Sequence, residues 1–141
     1  LIRGTANRLK IENVRPAVKD ASAPRPDMAM TLDAALIDAP CSGTGVMLEK
    51  PDVKYRVTRQ GVESLCRTQS EILDAIAPMI KVGGTLVYST CSILPDENGK
   101  QVDSDAYFFG ETKKTVACGS ATYLLVDMVP VAYTSEPGLK Q

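Results

Sequence analysis

Ile37-Asp38-Ala39-Pro40-Cys41-Ser42-Gly43-Thr44-Gly45-Val46 is the stretch whose reading decides the fold. A short apolar, β-prone run, Ala34-Ala35-Leu36-Ile37, stops at an aspartate, and a cysteine follows at once. A second stretch has the same form: Thr85-Leu86-Val87-Tyr88-Ser89-Thr90 runs into Cys91-Ser92, and Pro95-Asp96-Glu97-Asn98 comes next. Between them, Val62, Leu65, Cys66, Ile72, Leu73, Ile76, Met79 and Ile80 fall at helical spacing. Strand, crossover helix, strand is the unit that makes two strands parallel in one sheet. Both cysteines then lie at the carboxyl edge of that sheet, where open α/β sheets bind ligands. The residues alone therefore predict an α/β fold of three layers, with Asp38, Cys41 and Cys91 at one crevice.

Working outward, Leu1–Lys10 carries Ile2, Ala6 and Leu9 on one helical face, with Asn13 as a stop. Val14–Val18 is a short strand candidate, irregular or at an edge because it contains Pro16. Ser22–Pro26 is loop, and Thr31–Ile37 is the first strand. Gly43 and Gly45 permit tight backbone paths, and Pro51-Asp52 suits a turn or a helix start. The helix over Val62–Ile80 is expected to be distorted by Pro78 and ended by Gly83-Gly84. Thr85–Thr90, with little alternation, reads as a strand covered on both faces. Pro95–Val102 opens a helix with acids in its first turn. Ala106–Gly110 is strand-like, and Thr122–Tyr133 is apolar without a motif that can be interpreted.

The 141 residues suffice for one domain with a real core, and a hydrophobic fraction of 44% is ordinary for a globular protein. No apolar run approaches the roughly 18 residues of a membrane span, and no signal-peptide pattern is present. The net charge of -1 gives no whole-chain basicity, but Leu1–Asp20 and Met47–Arg67 are net positive and Asp96–Glu111 is acidic. Basic segments beside the crevice suit a polyanion; solvated helix faces explain them as well. Four cysteines without a C-x-x-C pair, in a chain with no histidine, argue against the usual zinc sites and a Cys–His nucleophile pair. The absence of export signals favours reduced thiols.

A cysteine on a sheet edge is a nucleophile if its thiolate is stabilised, as at a helix N-terminus. Cys91, just before Pro95, fits that position, and the glycine-rich loop after Cys41 offers similar amides. A pair of buried apolar cysteines is the competing reading. Cys66, on the apolar stripe, is expected in the core. Asp38 at the end of a buried strand needs pairing, hydrogen bonding or a helix to cap. Asp20 is a similar, weaker candidate. Gly43-Thr44-Gly45 is too short for a dinucleotide fingerprint.

The motifs taken together, with Pro51-Asp52-Val53-Lys54 and Gln69-Ser70-Glu71-Ile72-Leu73-Asp74-Ala75 between them, closely resemble the RsmB-like (Fmu/Sun) RNA cytosine-5 methyltransferases. The likeness runs from about Leu1 to Val102 and returns at Asp105-Ala106-Tyr107-Phe108-Phe109, which looks like the family's last strand. The paired Pro-Cys and Thr-Cys-Ser motifs, in this order, are highly specific together.

The resemblance implies a Rossmann-like methyltransferase sheet and S-adenosylmethionine-dependent methylation of carbon 5 of cytosine in RNA, ribosomal in preference to transfer RNA. By resemblance Cys91 attacks carbon 6 of the base, Cys41 assists product release, and Asp38 contacts the cytosine close to the methyl donor. Asp20 would sit near the cofactor's adenine. No metal and no membrane are implied, and the location implied is cytoplasmic. The family's Gly-rich cofactor loop precedes the matching region. The sequence therefore reads as the catalytic half of the domain, residues 1–114, truncated at its N-terminal half, with an extension of unknown role over 115–141. Weak cofactor binding by this chain alone is expected. An inactive RNA-binding or scaffold remnant of the fold is the alternative. A DNA cytosine methyltransferase, whose nucleophile is the Pro-Cys cysteine, is a weaker one.

Overall fold

The computed structural model describes residues 1–104, 113–118 and 121–127. Helix α1 spans Ile2–Arg8, strand β1 Leu32–Asp38, a one-turn helix α2 Val53–Arg56 and the long helix α3 Arg59–Ile76. Strand β2 (Ile80–Thr90), helix α4 (Gly99–Ser104) and strands β3 (Lys113–Cys118) and β4 (Ala121–Asp127) follow. The four strands form one sheet in the order β1-β2-β4-β3. β1 and β2 are parallel, with Leu36 opposite Val87 and Asp38 opposite Ser89, while β4 runs antiparallel to both β2 and β3. The strand–helix–strand unit expected from the sequence is thus present. The strand-like segment at Ala106–Gly110 lies outside the described residues.

The core forms where α3 covers the sheet. Thr58 caps α3, its hydroxyl accepting the Gly61 N–H at 3.1 Å, so the helix starts three residues before the apolar stripe. Ile72 and Leu73 of α3, with Ala77 beyond it, pack on Ile37, Ala39, Leu86 and Tyr88. Leu86 and Tyr88 are fully buried; burying a leucine or phenylalanine-sized side chain is worth about 1.5–3 kcal/mol. Leu86, Tyr88 and Thr90 are sealed on one face of β2; on the other, Thr85 and Val87 are half-buried and Ser89 is buried.

Three local expectations change. Residues 14–18 form no strand; Pro16 cannot donate to a ladder and no described strand lies alongside. The helix ends at Ile76, and Pro78 sits in a 3-10 turn over Ala77–Met79, where a proline near the start loses no helical bond. Gly83-Gly84 therefore does not stop the helix but lies inside β2, at the irregularity where pairing jumps from Leu32↔Ile80 to Ala34↔Thr85. Gly83 has φ +79°, and a Cβ on Gly84 would come within 2.8 Å of the Asp33 carbonyl of β1. The glycines let the two backbones meet across a bulge. Among the described residues no helix is long and apolar enough to cross a membrane.

Candidate active site

β1 and β2 end side by side, and the Ala39 N–H donates to the Ser89 carbonyl just past the pairing, at 2.9 Å. The two chains leave the sheet together. Two residues beyond Ala39 on one side and directly after Thr90 on the other stand the cysteines, with their Sγ atoms 3.0 Å apart. The Cys91 N–H also points to the Cys41 sulfur, at 3.3 Å, and the Gly45 N–H donates to the Cys91 carbonyl at 2.9 Å. Gly43, at φ +71°, turns the first loop back so that this last bond can form. Both thiols are free and half-buried. Loss of solvent, then the neighbouring Cys91, push the Cys41 thiol up to about 11, against partial opposition from the Gly43 and Cys91 amides. Cys41 is therefore a neutral S–H at physiological pH in contact with a second sulfur, and either thiol can donate in that contact.

Asp38 is the last residue of β1 and is exposed, although the sequence places it on a buried strand. β1 is an edge strand among the described residues, so the carboxylate faces water and carries no burial cost. It makes no hydrogen bond or ion pair with any described residue, and it stands three residues before Cys41 in the chain. Asp20 lies in the loop before β1, exposed, and accepts from the Ser22 hydroxyl (2.8 Å) and N–H (3.0 Å). Those two bonds hold its carboxyl below the usual range. No described contact joins Asp20 to Asp38 or the cysteines.

Cys66 corrects an expectation. It is half-buried, donating to the Asp96 carbonyl at 3.3 Å, and its pKa is raised by loss of solvent. It lines a cavity of about 750 Å³ together with Thr58, Val62, Leu94, Asp96 and Gln101; neither Cys41 nor Cys91 lines that cavity. The position in the core that the stripe assigns to Cys66 is filled instead one turn along by Gln69, fully buried, whose Nε2 donates to the Pro40 carbonyl at 2.8 Å.

The largest feature not legible in the motifs is a buried polar cluster behind the thiols. Glu97, read from sequence as a helix-opening acid, is fully buried, while its neighbour Asp96 is the exposed one, paired with Lys100 at 2.7 Å. The Glu97 carboxylate accepts from the Ser42 N–H (2.8 Å), the Ser42 hydroxyl (2.5 Å), the Ser92 hydroxyl (2.5 Å) and, at 3.4 Å, Gln69 Nε2. Thr44 joins the cluster through the Ser92 hydroxyl (2.9 Å) and the Ile93 N–H (3.0 Å). Tyr88 donates to the Glu97 carbonyl at 3.0 Å, and Asn98 Nδ2 donates to the Ser92 and Leu94 carbonyls. The Pro95–Asn98 turn is thereby sewn to the end of β2. Serines directly after both cysteines were the signal for this cluster, but polarity alone did not reveal that they turn inward.

Comparison with known proteins bears on this site. Residues 1–118 match the family described as 16S rRNA methyltransferase RsmB/F. Ribosomal RNA small subunit methyltransferase B of Photorhabdus laumondii is 44% identical over 106 residues, covering 73% of this chain and 25% of that protein. Its namesake in Escherichia coli K12 is 47% identical over 90 residues, covering 64% and 20%. The chain thus spans about a quarter of the length of these curated relatives. Among solved structures, PH0851 superposes with a TM-score of 0.77 at 26% identity, covering 89% of this chain and 33% of that one. NSun6 from Pyrococcus horikoshii, solved with SFG, superposes with a TM-score of 0.67 over 92% of this chain and 38% of its own; at 21% identity it bears on fold alone.

Proposed function

The chain belongs to the 16S rRNA methyltransferase RsmB/F family, and on that premise we propose that it carries the reacting groups for S-adenosylmethionine-dependent methylation of carbon 5 of a cytosine in RNA, ribosomal RNA first. The observation that carries this reading is the contact between the Cys41 and Cys91 sulfurs at the carboxyl edge of parallel strands. Carbon 5 of cytosine is a poor nucleophile. Addition of the Cys91 thiolate to carbon 6 gives carbon 5 enamine character, so one difficult step becomes two easier ones. S-adenosylmethionine, when bound, supplies an electrophilic methyl group. After transfer, carbon 5 loses its proton to a base and the carbon–sulfur bond to Cys91 breaks. The neutral S–H of Cys41, 3.0 Å away, then stabilises the departing thiolate by a hydrogen bond.

The free carboxylate of Asp38 fits both neighbours that the reaction brings. It can accept from the exocyclic amine of cytosine, as carboxylates do, or from a donor of the cofactor. Asp20, also an exposed carboxylate, would hold the cofactor at its adenine end. Access to carbon 6 requires single-stranded or extruded RNA. The contact of two thiols at the sheet edge supports this reading over an inactive scaffold.

Two substitutions test the assignment on a denaturing gel with substrate RNA. Cys91→Ala should abolish both methyl transfer and any covalent RNA band. Cys41→Ala should allow addition and transfer but stall elimination, so a shifted band of methylated RNA accumulates. A shifted band for Cys91→Ala and none for Cys41→Ala would reverse the roles.

A further inference from the structure

We infer that Glu97 is the positioning residue that sets the two cysteines against each other. This rests on the reading above, in which Cys41 and Cys91 are the reacting pair. Ser42 directly follows Cys41, and Ser92 directly follows Cys91. One carboxylate takes hydrogen bonds from both: the Ser42 N–H and hydroxyl and the Ser92 hydroxyl. Glu97 thus bridges two loops that are fifty residues apart in sequence. It is fully buried, and its hydrogen-bond partners among the described residues are neutral donors.

A buried carboxyl group held this way is a poor means of gaining stability and a good means of fixing geometry. Other links between the loops, Ser42 to Ser92, Thr44 to Ser92 and Ile93, Gly45 to Cys91 and the Cys91 N–H to the Cys41 sulfur, hold them near each other. The Ser42 and Ser92 hydroxyls also meet directly at 3.3 Å, but among the described residues only Glu97 gathers both serines on one carboxylate, Oε1 taking the Ser42 N–H and Oε2 both hydroxyls. The carboxylate touches neither sulfur in this arrangement; it acts through the serines.

The test reads the thiol pair itself. In the full chain with Cys66→Ser and Cys118→Ser, the oxidation of Cys41 and Cys91 is equilibrated against glutathione. The two thiols lose two electrons and two protons to form one S–S bond, while glutathione disulfide is reduced to two glutathione thiols. Glu97→Ala should lower the equilibrium constant for the Cys41–Cys91 disulfide by about tenfold and, with all four cysteines restored, reduce kcat by about a hundredfold with KM for RNA little changed, the signature of misplaced reacting groups. Glu97→Gln keeps two acceptor positions on Oε1, and the serine hydroxyls can turn to accept from its amide, so it should restore most of the thiol equilibrium and of kcat.

A Glu97→Ala protein with a native near-UV spectrum and an unchanged thiol equilibrium would overturn the inference. If that variant does not fold, the Ser42→Ala, Ser92→Ala double variant, which leaves the Ser42 N–H in place, should lower the equilibrium on its own, and no change there overturns it equally. A shifted thiol equilibrium together with full methylation by Cys91→Ala would leave the positioning role standing and refute the catalytic assignment instead.

Discussion

Cys41 is the residue on which the chemistry and the stability of the site meet. Its thiol is pushed up from 9.0 to about 11, by loss of solvent and by Cys91. Between those two values the unfolded chain has released a proton that the folded chain keeps, so stability falls as pH rises through that window and is complete below it. Denaturant midpoints measured from pH 8 to 11 should decline, and Cys41→Ala should decline less steeply. A remaining slope is expected from Cys66, whose thiol is shifted in the same direction. Identical slopes in the two proteins would show that Cys41 is not held protonated by the fold. At this scale the sequence made both cysteines and Asp38 visible, because the motifs name them. It misplaced Asp38 as buried, because whether an edge strand is covered depends on neighbours that no local pattern specifies.

The elements explain why two distant cysteines meet at all. Parallel β1 and β2 end in register, so whatever follows each strand is brought to the same edge. That register depends on the bulge at Gly83-Gly84. Gly84→Ala places a methyl 2.8 Å from the Asp33 carbonyl and 2.9 Å from that of Lys81, neither of which can give way without moving backbone. It should cost about 1–3 kcal/mol by overpacking, read as a lower denaturant midpoint; a neutral result would mean that the strands are not locked there. Thr58→Ala should cost about 1 kcal/mol through the lost cap of α3, measured in the same way, and an unchanged midpoint would remove the cap from the account. The strand–helix–strand order was legible from periodicity and turn residues. The glycine pair was not, since Gly-Gly after an apolar helix signals a helix stop and a strand bulge equally well. Val14–Val18 failed for a related reason: strand composition without a partner makes no strand.

Across the described residues, the core beneath α3 supports the site from behind. Leu73 and Leu86 are buried at its centre, and either leucine changed to alanine should cost about 2–5 kcal/mol in a single cooperative transition. The loss would be smaller only if the core collapses into the gap. Glu97 and Gln69 interrupt this core with polar atoms at the place where it meets the cysteine loops. Sequence patterning marks apolar positions as core and acids as surface, so such an inversion is invisible to it; residues that break the pattern under a candidate site are where a structure adds most. The family and the sheet, by contrast, were legible because two Cys-bearing motifs in fixed order are a far narrower signal than any composition.

The most direct measurement of the central claim, that Cys91 is the nucleophile and Cys41 its partner, is peptide mapping of the protein after incubation with S-adenosylmethionine and substrate RNA carrying 5-fluorocytosine. Fluorine at carbon 5 leaves no proton to remove, so elimination cannot occur and the covalent adduct persists. The account predicts a nucleotide adduct on the peptide containing Cys91, with Cys41 recovered as a free thiol. An adduct on Cys41, or methylation of ordinary RNA with no adduct trapped on either cysteine, would contradict it.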